Sequence, residues 1–238
     1  MSVPHHDQHK VILSEITHRF TASRTAILGL NGSGKSTLLK LFNGLCDTTN
    51  GEVRVHGVDV RQHINVIRQH VGMLFSDPQA QLIMPTPIED VELSLRATIK
   101  DAAARHNKAQ ELLDARGIGH LAHSSVYELS GGERQLVALT AVLAVNPRVL
   151  LLDEPTTLLD LQNKLRLSSL LDKLPQQIMI STHDLELAQR CDEAVIVHQG
   201  TILKSGPSSE MIQQYRQWCA EGFPQNAKAH SADTDKVC

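Results

Sequence analysis

Gly29-Leu30-Asn31-Gly32-Ser33-Gly34-Lys35-Ser36 is the stretch of this 238-residue chain with the clearest chemistry. Its glycines let consecutive backbone N–H groups curl around phosphate oxygens with no Cβ in the way. A lysine at position 35 can reach the β- and γ-phosphates of a nucleotide, and the Ser36 hydroxyl can ligate Mg²⁺. Thr37 carries the segment into a helix whose N-terminal dipole adds to the attraction. A chance glycine-rich turn has no reason to separate a strand from a helix. Here Thr25-Ala-Ile-Leu-Gly29 reads as a buried strand and Leu38–Phe42 as a helix.

Far downstream, Val149-Leu-Leu-Leu152 is an apolar run that ends in Asp153-Glu154. Alone, such a run is more often a strand end with a solvated turn. Beside a phosphate loop it becomes the second half of a nucleotide site. Asp153 would hold Mg²⁺ through water, and Glu154 would polarise an attacking water. Between the two lies Leu129-Ser130-Gly131-Gly132-Glu133. Ser130 and Glu133 fit the S-x-x-E capping box, which predicts a helix over Arg134–Val145. The cap leaves Gly131-Gly132 unexplained, since glycine inside a helix costs about 1 kcal/mol against alanine. A bare, glycine-lined helix start suits an anion, and the expectation is that it grips the same phosphate from the opposite side.

These groups need a scaffold that gathers distant segments. Short β-branched runs alternate with longer amphipathic stretches, which predicts an α/β fold with a largely parallel sheet. Further strands are expected at Glu52–His56, Val71–Phe75, Gln177–Ser181 and Ala194–His198, with helices at Leu161–Leu174 and Leu185–Cys191. From Asp77 to Ser130 the character changes. Pro78, Pro85 and Pro87 punctuate it, and Glu89–Ile99 and Ala102–Arg116 read as helices of an insertion. The expected division is a nucleotide-binding lobe (10–76 and 146–215) and a helical lobe (77–145) within a domain spanning 1–224. A polar tail over 225–238 is expected to be disordered.

Composition narrows the partners. With 41% hydrophobic and 21% charged residues the chain is ordinary for a soluble globular protein. A formal charge of −3 and 3% aromatic residues give no case for binding nucleic acid. No apolar run is long enough to span a bilayer, and the His-rich N-terminus lacks a secretory core. Cys46, Cys191, Cys219 and Cys238 show no metal or redox spacing, so free thiols in the cytosol are expected. His5, His6, His9, His120 and His123 do not converge at metal-ligand spacing either.

Taken in order, the phosphate loop, Leu-Ser-Gly-Gly-Glu, Leu-Leu-Leu-Asp-Glu-Pro and Ser181-Thr-His183-Asp184 resemble the ATPase subunit of ABC transporters, over nearly the whole chain. The resemblance implies a P-loop NTPase (RecA-like) core with a parallel or mixed sheet and a helical signature subdomain. It implies ATP and Mg²⁺ as cofactors and hydrolysis as the reaction. By the same likeness, His183 contacts the γ-phosphate and Asp160 contacts a second ATPase copy. The stretch from Phe75 to Val91 is similar to energy-coupling factor importers, which take up vitamins and transition-metal ions. Compact chains of that type look most like those of biotin uptake, with cobalt or nickel next. This likeness implies a motor on the cytoplasmic face of the inner membrane. The phosphate loop, signature, Glu154, Asp160 and His183 are all intact in one chain, which predicts a homodimer, with pairing to a second, different ATPase as the alternative. Its partners would be a transmembrane coupling subunit, docked near residues 76–95, and a substrate-binding membrane subunit, with no nucleic acid. A soluble ABC ATPase outside transport is the alternative class, but the tandem cassettes, coiled-coil insertions or basic surfaces of such proteins are not seen.

The chain departs from the family pattern twice. Ser76 stands where the family places a magnesium-sensing glutamine. Its hydroxyl still suits Mg²⁺ with a shorter reach, and Gln79 or Gln81 are candidate substitutes. Only ten residues precede Val11-Ile-Leu13, which leaves little room for the usual first strand and its adenine-stacking aromatic. His5 or His6 are the candidates there, against a frayed terminus.

Overall fold

Residues whose neighbours on both sides are apolar form the centre of the molecule, seen in a computed structural model that describes residues 12–224. His5, His6 and the 225–238 tail lie outside the described residues. The first half runs β1 (Arg24–Leu28), α1 (Lys35–Phe42), β2 (Arg54–Val55), β3 (Val58–Asp59), α2 (Ile64–His70) and β4 (Val71–Leu74). Helices α3 (Pro78–Gln81), α4 (Pro87–Leu95), α5 (Ala102–Asp114) and α6 (Gly131–Ala144) follow. The chain returns through β5 (Val149–Asp153), α7 (Leu161–Leu171), β6 (Gln177–Ser181), α8 (Leu185–Gln189), β7 (Glu193–His198), β8 (Thr201–Pro207) and α9 (Ser208–Glu221).

Six strands make one sheet in the order β4-β5-β6-β1-β7-β8. Every neighbouring pair is parallel except β7–β8. Both faces are covered, so the central strands are apolar along most of their length and alternate chiefly in which layer their side chains enter. Along β5, Leu150 and Leu152 pack towards α6, α7, α8 and α9, while Val149 and Leu151 pack towards α1 and α2. Helix α6 serves two cores. Ala138, Leu139 and Leu143 join the sheet, and Leu136, Val137 and Ala141 join α4 and α5 in a helical cluster. That sharing ties the helical insertion to the sheet.

Several expected bounds change, and α4 runs Pro87–Leu95 against the expected Glu89–Ile99. The strand expected at Glu52–His56 is only Arg54–Val55, because His56 (φ 48°) and Gly57 (φ 81°) turn the chain back into β3. A two-residue turn with both φ positive matches the twist of a hairpin. The helix expected to reach Leu174 stops at Leu171. Helix α2 and the β8–α9 segment give no clear signal in the sequence. His63 gives α2 no side-chain cap, and β8 is an edge strand with a polar Lys204-Ser205-Gly206 centre.

The parallel arrangement has one consequence for chemistry. It delivers the C-terminal ends of β1, β5 and β6 to the same edge, where open α/β sheets bind ligands. Asp153 stands in register with Ser181, and Ser181 with Ile27, two residues before Gly29. Among the described residues no helix is long and apolar enough to cross a membrane.

Candidate active site

The phosphate loop leaves β1 under tight steric control. A Cβ at Gly29 would lie 2.3 Å from Val197 O, so only glycine passes this point. Gly34, at φ 108°, caps α1 in the left-handed region, and its carbonyl accepts from Leu38 N–H at 2.8 Å. Ser33 N–H donates to Leu30 O at 3.1 Å, which closes the loop on itself. Leu30, Asn31 and Gly32 form its exposed rim, while Ser33 is buried with an unpartnered hydroxyl. No side chain caps α1 and no carboxylate sits in its first turn, so its N–H groups are left for an anion. Thr37 lies half-buried in that same turn.

Lys35 is buried under the loop. Its ammonium donates to Gly29 O (2.8 Å) and Leu30 O (3.2 Å). It also lies 3.2 Å from His183 Nε2 and 3.9 Å from Glu154 Oε1. Burial pulls the lysine below its usual pKa, and the charges of Glu154 and Asp153 oppose that. Beside it, the Ser36 hydroxyl donates to Asp153 Oδ1 at 2.9 Å, and Ser181 Oγ donates to the same oxygen. An alcohol and a carboxylate so placed are an all-oxygen donor set suited to a hard cation such as Mg²⁺.

Glu154 follows directly, with its backbone in the left-handed region at φ 49°. For a residue with a Cβ this conformation costs roughly 1–3 kcal/mol. It is held by Glu154 N–H donating to Ser181 O at 2.9 Å. The turn aims the carboxylate at His183, whose backbone N–H donates to Glu154 Oε2 at 3.2 Å. Glu154 Oε1 is 3.2 Å from His183 Nε2 and 3.9 Å from the Lys35 ammonium, and this buried oxygen accepts no hydrogen bond. An unspent carboxylate oxygen beside an imidazole is what a water-activating base needs.

The structure therefore gathers Gly29 to Thr37, Asp153, Glu154 and His183. It keeps Ser130, Gly131, Gly132 and Glu133 in a second group. Ser130 Oγ accepts from Glu133 N–H at 3.3 Å, and Ser130 N–H donates to Glu133 Oε2 at 2.7 Å, so the expected capping box is formed. The glycine pair also has a use inside the chain. A Cβ at Gly132 would lie 2.6 Å from Asn163 Nδ2, and one at Gly131 would lie 3.2 Å from Leu158 O. Asp160 belongs to the same group, capping α7 by accepting from Asn163 N–H at 2.8 Å. Among the described residues no hydrogen bond joins this group to the phosphate loop.

Ser76 is exposed just beyond β4. Of the two glutamines named as substitutes, Gln81 is committed elsewhere. It accepts from Phe75 N–H (3.0 Å) and donates to Met73 O (3.1 Å), bracing the end of β4. Gln79 is exposed. Thr86 precedes α4 without capping it through its side chain, and its hydroxyl donates to Glu89 Oε2 at 2.7 Å. Two contributors escaped the sequence reading. Ser181 shares the Asp153 oxygen, and a hydroxyl at the end of an otherwise apolar strand was its signal. Gln135 is buried in α6 and donates to Pro155 O at 3.1 Å, tying the helix after Ser130 to the residue after Glu154.

A phosphate loop at the end of a central parallel strand, with a hydroxyl–carboxylate cation pair and a carboxylate–imidazole–ammonium cluster behind it, defines a nucleotide-hydrolysing cassette. Residues 18–157 match the ABC transporter family, and the chain belongs to it as an ATP-hydrolysing, ATP-binding member. The biotin transport ATP-binding protein BioM of Rhizobium etli is 37% identical over 211 residues, covering 89% of this chain and 94% of that protein. The energy-coupling factor transporter ATP-binding protein EcfA of Methanoculleus marisnigri is 37% identical over 202 residues, covering 81% and 73%. CbiO1 of Clostridium perfringens, part of the ABC transporter complex CbiONQ, superposes with a TM-score of 0.76 at 29% identity, covering 88% of each chain. A dimeric ATP-binding cassette with ADP and Pi in a post-hydrolysis state gives a TM-score of 0.76 at 27% identity, covering 83% of this chain and 90% of its own. The uncapped α1, the unpartnered Ser33 hydroxyl and the Ser36–Asp153 oxygens all fit Mg-ATP.

Proposed function

We propose that this chain is the motor subunit of an energy-coupling factor importer, powering uptake of a vitamin such as biotin. The observation that carries the catalytic part is the Lys35–His183–Glu154 cluster beside the Ser36–Asp153 pair. In this reading Lys35 and the loop N–H groups hold the β- and γ-phosphates. Ser36 and Asp153 hold Mg²⁺, with Ser76 reaching the cation from the end of β4. Glu154 orients the attacking water and takes its proton, and His183 stands by the γ-phosphate. The bound cation supplies charge neutralisation at the transferring phosphoryl group.

The transport part rests on a groove between α3–α4 and the loop before α6. It is lined by Leu82, Ile83, Met84, Pro85, Tyr127 and Arg134, among others, with Ile83 77% and Tyr127 75% exposed. Large apolar side chains left in water beside residues 76–95 suit a cytoplasmic segment of a transmembrane coupling subunit. A substrate-binding membrane subunit would complete the complex, with this chain peripheral on the cytoplasmic face. Phosphate loop and signature are both intact in one chain, so two copies would complete each other's sites. The BioM relative favours biotin over the cobalt or nickel reading.

Co-expression of the full chain with the coupling and substrate-binding membrane subunits, followed by purification and uptake assays, tests this. ATP-dependent accumulation of labelled biotin supports the proposal. Accumulation of Co²⁺ or Ni²⁺ instead overturns the substrate, and co-purification with ribosomes or DNA overturns transport.

A further inference from the structure

The phosphate loop is supported from behind by the turn between β7 and β8. Gly200 N–H donates to Ser33 O at 3.0 Å. Gly29 passes so close to Val197 O that a Cβ would fall 2.3 Å from it, and a Cβ at Gly34 would meet Gly200 Cα at 3.7 Å. Positions 29 and 33 thus lean on residues 197–200, and position 34 passes between Leu13 and Gly200. The turn is stiff. Gln199 (φ 47°) and Gly200 (φ 81°) are both left-handed, and the Thr201 hydroxyl donates to His198 O at 3.1 Å.

An aromatic residue from the end of the last helix holds this turn on its other side. The His198 ring stacks on Phe223 with centroids 4.4 Å apart and planes 6° from parallel. Gly222, at φ 102°, bends the chain out of α9 to bring Phe223 there, and its N–H donates to Trp218 O at 2.9 Å. Tyr215 and Trp218 flank Phe223 at 6.0 and 5.8 Å. Tyr215 is buried in the core of the sheet, so the stack connects that core to the turn.

We propose that Phe223 and His198 form an aromatic clasp that positions the phosphate loop, making them positioning residues for nucleotide binding. The loop meets residues 197–200 at main-chain atoms (Val197 O, Gly200 N–H and Gly200 Cα), so a shift of this turn moves those supports. A near-parallel stack fixes the turn sideways as well as in distance, because rings that slide lose contact area. Neither ring reaches the reacting atoms. The clasp therefore acts on binding in the ground state and transition state alike, which alters KM and leaves kcat.

The experiment uses the full chain and measures Mg-ATP affinity by equilibrium titration, steady-state hydrolysis, and thermal unfolding without nucleotide. Phe223→Ala raises Kd and KM roughly two- to tenfold, the equivalent of one aromatic pair, with kcat within about twofold. Phe223→Tyr keeps a ring and restores both. Gly222→Ala meets no neighbouring atom with its new methyl but disfavours the left-handed backbone, so it weakens ATP in the same way. Unchanged Kd and KM in Phe223→Ala, with only the unfolding temperature lowered, overturns the proposal. Should Phe223→Ala fail to fold, Gly222→Ala decides it: ATP affinity equal to that of the parent chain overturns the clasp.

Discussion

The Ser36 hydroxyl donates to Asp153 Oδ1 at 2.9 Å, joining residues 117 positions apart. Their adjacency depends on β1 and β5 both pairing with β6 in parallel, so that the loop after one strand opens beside the end of the other. Ser181, at the end of the intervening strand, donates to the same oxygen and keeps the carboxylate turned towards Ser36. The site thus depends on sheet register. A slip of one residue in β5 would send Asp153 to the opposite face.

Removing the base separates chemistry from binding. Glu154→Gln keeps the shape of the side chain and abolishes its basicity. Hydrolysis falls about 10²–10⁴-fold, the usual worth of a positioned general base, while ATP affinity stays near that of the parent. Lys35→Ala removes the ammonium that lies under the loop and weakens ATP binding itself. Titration of ATP beside single-turnover hydrolysis distinguishes the two. Near-parental turnover in Glu154→Gln would place the base elsewhere.

Ser76 offers a gain-of-reach test. It is exposed at the end of β4, and Gln81 is already committed to the backbone there. A longer amide at position 76 would give this residue the reach that the serine lacks. Ser76→Gln is therefore expected to hydrolyse ATP at a comparable or higher rate. Collapse of activity in a folded Ser76→Gln protein would show that the serine does something a glutamine cannot.

Much of the site was legible because its residues are contiguous in sequence or close a local loop. The phosphate loop, the Asp153-Glu154 strand end and the Ser130–Glu133 cap all declare themselves within a few residues. What stayed hidden depends on contacts between segments far apart. Gly132 reads as an anion surface, and nothing nearby in sequence shows that Asn163 also lies 2.6 Å from where its Cβ would be. Gln81 reads as a cation ligand until both ends of its amide are found on the β4 backbone. The left-handed backbone of Glu154 has no sequence signal at all, because surrounding contacts impose it against the local preference of a residue with a Cβ.

The capping box makes the start of α6 sensitive to acid. The Ser130 side chain, then its backbone N–H, bond the Glu133 carboxylate and hold its pKa below the ordinary 4.5. A carboxylate depressed in the folded state contributes stability that is fully present above the unfolded value and is lost as pH falls through the folded one. Glu133→Gln accordingly lowers the unfolding temperature at pH 7, and the difference from the parent narrows below about pH 4.5. Melting curves of the two proteins between pH 7 and pH 3 check this. A difference that stays constant over that range would remove the charge from the account.

Assembly is the last expectation, and it follows from the separation of the two groups of site residues. Gly29 to Ser36 and Glu154 lie in one group, Ser130 to Glu133 and Asp160 in another, with no hydrogen bond between them among the described residues. A twofold axis would place the second group of each copy over the first group of the other and create two equivalent sites. Leu158, Leu161 and Leu165 stand exposed beside Asp160, which gives that face apolar area to bury. Bound ATP would contribute much of the contact, so the pair should be weak without it. Glu154→Gln is expected to sediment as a dimer with Mg-ATP and as a monomer without nucleotide. A chain that remains monomeric at saturating ATP, yet dimerises with a second and different ATPase, would replace the homodimer with a heteromeric motor.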